Sequence, residues 1–248
     1  MLLRLIKQTI QRTGYDIVRY QQPEKRRVPS DVGETDWSIV ESVRPYTMTS
    51  DERLITLINA VRFVSRNKIR GAIAECGVWQ GGSMMAVALT LLDEGDTERD
   101  LYLYDTFQGM SDPTLHDKSF DGRLAESQLA MTPKGEGLWC YAPLDEVKAN
   151  FARTQYPTER VHFIAGKIED TIPRRNPPQL AILGLDTDWY ESTKHELEHL
   201  FPLLTAKGIL IIDDYGHWQG ARKAVDEFLS TRPMFMHRID ETGRVLIK

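Results

Sequence analysis

Apolar and polar residues alternate in blocks that predict helices and strands in turn from about residue 50 onward. A helix begins after Ser50, a favourable N-cap, and its leucines and valines recur at helical spacing. Short apolar runs bounded by glycine or acid predict strands at 72–77, 100–105, 161–165, 180–185 and 208–212. Two last runs, 235–239 and 244–247, predict a β-hairpin. The pattern indicates an α/β fold with a mostly parallel sheet, helices on both faces and an antiparallel edge.

Two of the predicted strands stop abruptly at pairs of acids. Leu180–Leu185 precedes Asp186 and Asp188, and a second run precedes Asp213 and Asp214. If these strands are parallel neighbours, the acids meet at the sheet edge where α/β proteins bind ligands. Carboxylates so close together repel and need a cation or protons, and Mg²⁺ prefers such oxygen ligands. These aspartates could instead cap the helices that follow the strands, but the presence of two pairs of aspartates favours a cation site.

A glycine turn follows the first predicted strand, in the segment 75–83. Its spacing is not the G-x-G-x-x-G of dinucleotide binding, and Glu75 directly before it would repel a pyrophosphate. A carboxylate there suits a cationic ligand, such as the amino group of S-adenosylmethionine. Asp105 ends the next strand, where a ribose hydroxyl is usually bound, although an acid at this place can also be a simple cap.

Composition narrows the class of protein. The 248 residues carry a formal net charge of −5, which argues against nucleic acid as the main partner. The only cysteines, Cys76 and Cys140, lie far apart without metal-ligand spacing, so we expect a reduced, cytoplasmic protein. No apolar run approaches the ~20 residues that a transmembrane helix needs.

The N-terminus forms a predicted region of its own, residues 1–44, ahead of a domain at 45–248. Residues 1–14 predict a short basic amphipathic helix without the features of a signal peptide. A loop or tether follows at 21–34. Such an extra helix and arm favour a homo-oligomer. The polar segment 106–142 is too long for an idle connection, and with His116, Asp117, Trp139 and Tyr141 it predicts a lid and acceptor pocket.

Five segments together resemble the macrocin O-methyltransferase family: Tyr46–Ser50, Glu75–Ser83, Asp105–Met110, Leu185–Thr193 and Ile211–Tyr215. The resemblance covers roughly residues 45–230. Members of this family methylate sugar hydroxyls of antibiotics and related glycosides with S-adenosylmethionine and Mg²⁺. The resemblance therefore implies a class I methyltransferase sheet, both cofactors, and a sugar or glycoside acceptor of natural-product or surface-glycan type.

The resemblance also implies roles for particular residues. Those expected around the cofactor are Thr47, Met48, Thr49, Glu75, Gly77, Trp79, Ser83, Asp105, Thr106, Phe107, Gly166, Lys167, Ile168 and Asp170. Within this set, Phe107 is expected beside the adenine and Asp170 near its exocyclic amine. Asp186, Asp213 and Asp214 match the metal positions.

The general base is expected to be Asp188 or Asp186. Catechol-type methyltransferases carry a lysine three positions after the first aspartate, and Trp189 stands there in this chain. His217 either reaches the acceptor or packs, since histidine serves both roles. Two other functions stay open at this point: a catechol-like methyltransferase acting on an aromatic diol, and a Rossmann-type nucleotide-sugar oxidoreductase or epimerase.

Overall fold

The computed structural model describes residues 28–135 and 137–248, together with Lys7, Gln11, Arg12 and Gly14. Most of the predicted N-terminal helix at 1–14 and the first half of the predicted tether at 21–34 therefore lie outside the described residues. The chain divides into two compact units, Met1–Gly33 and Glu34–Lys248. The boundary falls before helix α1 (Glu34–Val43), earlier in the chain than the predicted 44/45 boundary.

A seven-stranded sheet forms the centre of the second unit. Its strands are β1 (Ala72–Cys76), β2 (Leu101–Asp105), β3 (Val161–Ala165), β4 (Leu180–Leu185), β5 (Leu204–Ile212), β6 (Met236–Arg238) and β7 (Arg244–Ile247). They lie in the order β3-β2-β1-β4-β5-β7-β6. Strand β7 is antiparallel to both of its neighbours, so β6 at the edge runs parallel to the rest. The predicted fold class is confirmed.

Helices cover both faces of the sheet. The remaining helices are α2 (Asp51–Arg66), α3 (Gly82–Glu94), α4 (Ala125–Met131), α5 (Leu144–Ala152), α6 (Ile168–Thr171), α7 (Tyr190–His199) and α8 (Gln219–Ser230). Helix α2 packs on α3, and α7 packs on α8. The predicted cap is present, because Ser50 Oγ accepts a hydrogen bond from Arg53 N at 3.2 Å. No helix of the described residues is long and apolar enough to cross a bilayer.

The order of the strands changes direction between β1 and β4, and this point defines the functional edge. Chain connections proceed outward from β1 through β2 to β3, then return to β4 on the other side of β1. The register pairs Cys76 with both Tyr104 and Leu185, and pairs Leu185 with Ile212. The residues that follow these strand ends consequently emerge side by side, at the crevice where such folds bind ligands.

Candidate active site

A cavity of about 510 Å³ opens at the carboxyl ends of the parallel strands. Most of the predicted site residues line it: Thr47, Met48, Thr49, Gly77, Trp79, Ser83, Asp105, Thr106, Gly166, Lys167, Ile168, Asp186, Asp188, Asp213, Asp214 and His217. Its size is typical of a small-molecule site. Residues from five strand ends and from the segment before α2 therefore converge on one space.

Three predicted residues do not lie on the wall of this cavity. Glu75 lines a much smaller neighbouring cavity beside Ser83. The side chain of Phe107 is buried in the protein and not exposed to the cavity. Asp170 is exposed, whereas its neighbour Glu169 is on the wall.

Asp105 organises the glycine turn. Its Oδ2 accepts hydrogen bonds from Val78 N at 2.8 Å and Trp79 N at 3.1 Å, and its Oδ1 accepts one from Phe107 N at 2.7 Å. Burial raises the pKa of Asp105, while these hydrogen bonds act in the opposite direction. Since a carboxylate has about four acceptor sites, Asp105 can hold the turn and still accept from a ligand hydroxyl.

Glycine is required at two places in this turn. Gly77 has φ +81°, and a Cβ there would lie 2.0 Å from the backbone oxygen of Asp186. A Cβ on Gly82 would lie 2.5 Å from the backbone oxygen of Tyr46. The turn consequently packs directly against the first acidic strand end on one side and against the segment that leads to Thr47 on the other.

Glu75 fits a positively charged ligand group. Its Oε2 is buried without a hydrogen-bond partner in the described part of the chain. Burial, followed by the charge of Asp213, raises the pKa of Glu75 to about 8, and its hydrogen bond with Ser83 lowers it. An ammonium group at this position would satisfy the orphaned oxygen and favour the ionised carboxylate.

Asp186, Asp213 and Asp214 form the acid cluster. One carboxylate oxygen from each lies within 4.8 Å of the others. Burial and then the charge of Asp213 raise the pKa of Asp186 well above its usual range, and burial and then Asp188 raise that of Asp214. Such a set of hard oxygen ligands that disfavour one another's charge fits a divalent cation such as Mg²⁺.

Arg53 on α2 is a site residue that the sequence did not predict. Its Nη1 contacts Asp213 Oδ2, and its Nε lies 2.9 Å from Asp240 Oδ2. One oxygen of Asp213 is therefore held by a guanidinium. The sequence separation from Arg53 to Asp213 is 160 residues, so no local pattern points to the pair.

The backbone and the carboxyl group of Asp188 are held in place by neighbouring residues. Its backbone is left-handed with φ +68°, and its N–H donates to Asp214 Oδ2 at 3.0 Å. The indole of Trp218 donates to Asp188 Oδ1 at 2.5 Å. Burial raises the pKa of Asp188 to about 7, although the hydrogen bond from Trp218 lowers it. Trp218 therefore fixes one carboxylate oxygen, and the carboxyl group also hydrogen-bonds with that of Asp214.

His217 lies beside Trp218 on the cavity wall, with ring centroids 4.8 Å apart. Burial lowers the pKa of His217, and the nearby charges of Asp121 and Arg123 act in opposite directions. The imidazole is therefore neutral near pH 7 and available as a hydrogen-bond acceptor or donor.

The segment 106–142 contributes to the cavity wall, but not through the aromatic side chains named in the prediction. Met110, Leu138 and Cys140 line the cavity, while Trp139 packs with a buried apolar cluster and Tyr141 is exposed. Helix α4 lies within this segment. The predicted lid region is thus anchored on the site, although its aromatic residues are not the ones on the wall.

Asp117 secures this segment to the acidic strand ends. It is fully buried, and its Oδ1 accepts from Tyr190 N at 2.8 Å at the start of α7. Its Oδ2 accepts from Thr114 N at 2.6 Å. Trp189 Nε1 donates to the Ser111 carbonyl at 3.0 Å and adds a second connection.

Three features together define a class I methyltransferase. They are the order of the strands, the glycine turn with an acid at the end of β2, and the acids after β4 and β5. Comparisons with known proteins agree. The sequence profile of the family described as Macrocin-O-methyltransferase (TylF) matches residues 2–247. The chain belongs to the macrocin O-methyltransferase family. The match extends beyond the predicted 45–230 and includes the N-terminal region.

Characterised relatives are similar over most of this chain. The 8-demethyl-8-(2,3-dimethoxy-alpha-L-rhamnosyl)-tetracenomycin-C 4'-O-methyltransferase of Streptomyces olivaceus is 34% identical over 195 residues, which are 78% of this chain and 69% of the relative. The demethyldecarbamoylnovobiocin O-methyltransferase of Streptomyces niveus is 31% identical, over 74% of this chain and 67% of its own length. Both are O-methyltransferases, so the alternative of a Rossmann-type nucleotide-sugar oxidoreductase or epimerase finds no support.

A solved structure shows the same fold. The O-methyltransferase NovP superposes with a TM-score of 0.71 at 29% identity, with 82% of each chain covered. The calicheamicin methyltransferase CalS11 is 19% identical and superposes with a TM-score of 0.61. At that identity the likeness concerns the fold.

Proposed function

We propose that this protein transfers a methyl group from S-adenosylmethionine to a hydroxyl of a deoxysugar or glycoside, with Mg²⁺ at the acid cluster. The observation that carries the proposal is the continuous cavity, whose wall includes Asp105 on one side and Asp186 and Asp213 on the other. A methyl donor and an acceptor diol would share this space. The names of the relatives, one for a rhamnosyl-tetracenomycin and one for demethyldecarbamoylnovobiocin, support a natural-product acceptor, and the first supports a deoxysugar.

The residues around the glycine turn are suited to the donor. The orphaned oxygen of Glu75 matches its ammonium group, and Asp105 has acceptor capacity left for ribose hydroxyls. Gly77 brings the backbone close without a side chain in the way. Thr47 and Thr49 line the opening of the cavity beside the exposed side chain of Met48.

The residues around the acid cluster are suited to the acceptor. Asp186, Asp213 and Asp214 would hold Mg²⁺, which supplies Lewis-acid polarisation of a sugar hydroxyl whose own pKa is far above neutrality. Asp188 takes the hydroxyl proton, and a pKa near 7 suits a base that works at neutral pH. The new O–C bond forms as the C–S bond breaks, and S-adenosylhomocysteine leaves as a neutral thioether.

Asp186→Asn is the sharpest test of the metal assignment. The Asp186 carboxylate accepts no hydrogen bond from any described residue, so the substitution removes a charge without breaking a contact. We expect the metal-free variant to be at least as thermostable as the wild type, because repulsion is relieved. Mg²⁺ at a hundred times its dissociation constant should stabilise the wild type by about 2.7 kcal/mol and the variant by far less.

The control is Glu126→Gln, which removes an exposed acid from α4. It should leave the Mg²⁺-dependent stabilisation unchanged. Titration calorimetry should show S-adenosylmethionine binding to both variants. Equal stabilisation of Asp186→Asn and wild type by Mg²⁺ would contradict the metal site.

Activity is measured as S-adenosylhomocysteine formed with a panel of deoxysugars, glycosides and aromatic diols, with Mg²⁺ or with EDTA. Turnover of only the aromatic diols would replace the sugar assignment by the catechol-like one. In the same assay Asp188→Asn should lower kcat by at least about a hundredfold. A comparable loss in His217→Gln with an active Asp188→Asn would transfer the role of base to His217. The cytoplasmic location and the homo-oligomer stay predictions.

A further inference from the structure

A second, open groove of about 560 Å³ adjoins the active-site cavity. His217 and Trp218 line both spaces, so the groove begins where the acceptor side of the active site ends. Its other walls come from the segment 115–120 and from the first turns of α8. A substituent on an acceptor sugar bound at the acid cluster would pass His217 and enter this groove.

The charges of the groove favour an anion. Arg222 donates through Nε to the Tyr215 carbonyl at 3.2 Å, and its guanidinium lies 5.1 Å from the Tyr215 ring centroid. It forms no ion pair with the carboxylates of the described residues, and neither does Lys118. Arg222 is therefore held in place with its Nη atoms available, which suits recognition of phosphate oxygens.

The acids of the groove already have partners. Glu227 contacts Lys223 and accepts from the Tyr190 hydroxyl at 2.7 Å. Asp226 accepts from the Tyr215 hydroxyl at 2.8 Å. Three cations and two carboxylates line the groove, and the two cations that lack an acidic partner give it a net positive charge.

Two large apolar side chains stand exposed along the same groove. Leu115 is 78% exposed and Phe120 is 69% exposed, and both belong to the predicted lid segment 106–142. The ring centroid of Phe120 lies 5.9 Å from that of His217. An exposed aromatic face beside unpaired cations is the combination that binds a planar base together with its phosphates.

We propose that this groove binds the base and diphosphate of a nucleoside-diphosphate sugar, whose sugar ring extends to the acid cluster. The inference rests on the proposed function and specifies its acceptor: a sugar methylated while nucleotide-linked. The diphosphate contacts Arg222 and Lys118, and the base packs on Phe120.

Calorimetry with UDP and dTDP tests the groove by itself. S-adenosylhomocysteine is present at saturation, so that the pyrimidine nucleotides cannot occupy the donor site. We expect either nucleotide to bind, with an affinity that falls as salt rises. Arg222→Gln and Lys118→Gln should each weaken binding about tenfold, and Phe120→Ala should weaken it several-fold.

Arg232→Gln is the matched control. Arg232 also stacks on an aromatic ring, with its guanidinium carbon 4.4 Å from the Phe228 centroid, but it lies outside the groove. Its replacement should leave the affinity unchanged. Equal affinity of Arg222→Gln and wild type, no binding of either nucleotide, or binding of inorganic pyrophosphate as tight as that of UDP would overturn the proposal.

Methylation assays separate this proposal from the proposed function. We expect a nucleoside-diphosphate sugar to be methylated with a KM that rises about tenfold in Arg222→Gln. If neutral aryl glycosides are methylated equally well by the wild type and by Arg222→Gln, and nucleotide sugars are not methylated, the groove proposal is wrong and the methyltransferase proposal stands. If no acceptor is methylated but UDP binding depends on Arg222, the methyltransferase proposal is wrong, and with it the claim that the bound sugar is methylated, while the nucleotide site in the groove stands.

Discussion

Replacing Asp105 should destabilise the protein even before any ligand binds. The residue at the end of β2 is expected from the family to bind ribose hydroxyls, yet in the structure both of its carboxylate oxygens already accept backbone hydrogen bonds. The donors are the N–H groups of Val78, Trp79 and Phe107. Asp105 is therefore the acceptor around which the glycine turn and the start of the following segment are built.

The magnitude follows from how many donors lose their acceptor. In Asp105→Asn the side-chain amide oxygen can replace only one of the two carboxylate oxygens as a hydrogen-bond acceptor. The amide NH₂ takes the place of the other oxygen and faces a backbone N–H group from which it cannot accept. A buried donor left without a partner costs about 1–3 kcal/mol. Burial raises the pKa of Asp105, so removing its charge also removes a desolvation cost in the folded protein. We therefore take only the cost of the unpaired donor as the expected loss of stability. For a loss of about 2 kcal/mol the Tm should fall by roughly 4–8 °C.

The assay is thermal or urea unfolding of cofactor-free protein, compared for wild type, Asp105→Asn and Asp105→Ala. The alanine variant should be the least stable, because it leaves all three N–H groups without an acceptor. Asp100→Asn is the control, because Asp100 directly precedes β2 at the end of the strand opposite to Asp105. Its side chain is 38% exposed and pairs with His162 and Arg160. Such surface pairs contribute about 0–1 kcal/mol.

Unchanged stability in both Asp105 variants, together with a loss of S-adenosylmethionine affinity, would refute this reasoning. It would mean that Asp105 contacts the ligand and contributes nothing to the turn. A fall in stability with an unchanged affinity would instead show that the ribose is bound by another group.

Two further predictions concern the same turn. Between its ordinary pKa of 4.5 and its raised value of about 8, Glu75 binds more protons in the folded cofactor-free protein than in the unfolded chain. Its contribution is therefore present at low pH and is lost as pH rises, up to a limit of roughly 5 kcal/mol. The free energies of unfolding of wild type and Glu75→Gln are compared across pH 5–8. The stability of the wild type relative to the variant should fall as pH rises, and a difference that does not change with pH would contradict this prediction. Gly77→Ala should cost more than about 2 kcal/mol, since strain at positive φ adds to the clash with the Asp186 backbone. Gly122→Ala, at φ +87° with nothing within 4 Å, should show the strain alone, and equal losses in the two variants would exclude the clash.

The sequence predicted what depends on neighbours along the chain. A strand that ends in acid is visible as a run of apolar residues followed by aspartate, and the parallel register of β4 and β5 then brings Asp186 and Asp213 together. The Ser50 cap is equally local. Helix α1 went unpredicted, although its buried Trp37, Val40 and Val43 recur at helical spacing and would have indicated it.

What the sequence could not predict depends on contacts between distant segments. Arg53 reaches Asp213 because α2 packs beside the end of β5. Thr187 donates to Glu196 at 2.9 Å, and that glutamate is fully buried behind the acidic turn. Burial also raises the pKa of Glu196 well above its usual range. No spacing rule identifies such partners, because three-dimensional packing selects them.

The balance of charge predicts that ligand binding at the two halves of the site is coupled. Glu75 and Asp213 both line the small cavity beside the active site, and Arg53 lines it as well and contacts Asp213. The charge of Asp213 also acts on Glu75. A cation bound at either place therefore lowers the repulsion felt at the other. We infer positive coupling: Mg²⁺ should tighten S-adenosylmethionine binding, and by thermodynamic reciprocity the donor should tighten Mg²⁺ binding by the same factor. Glu75→Gln should remove most of this coupling while leaving the three metal ligands intact.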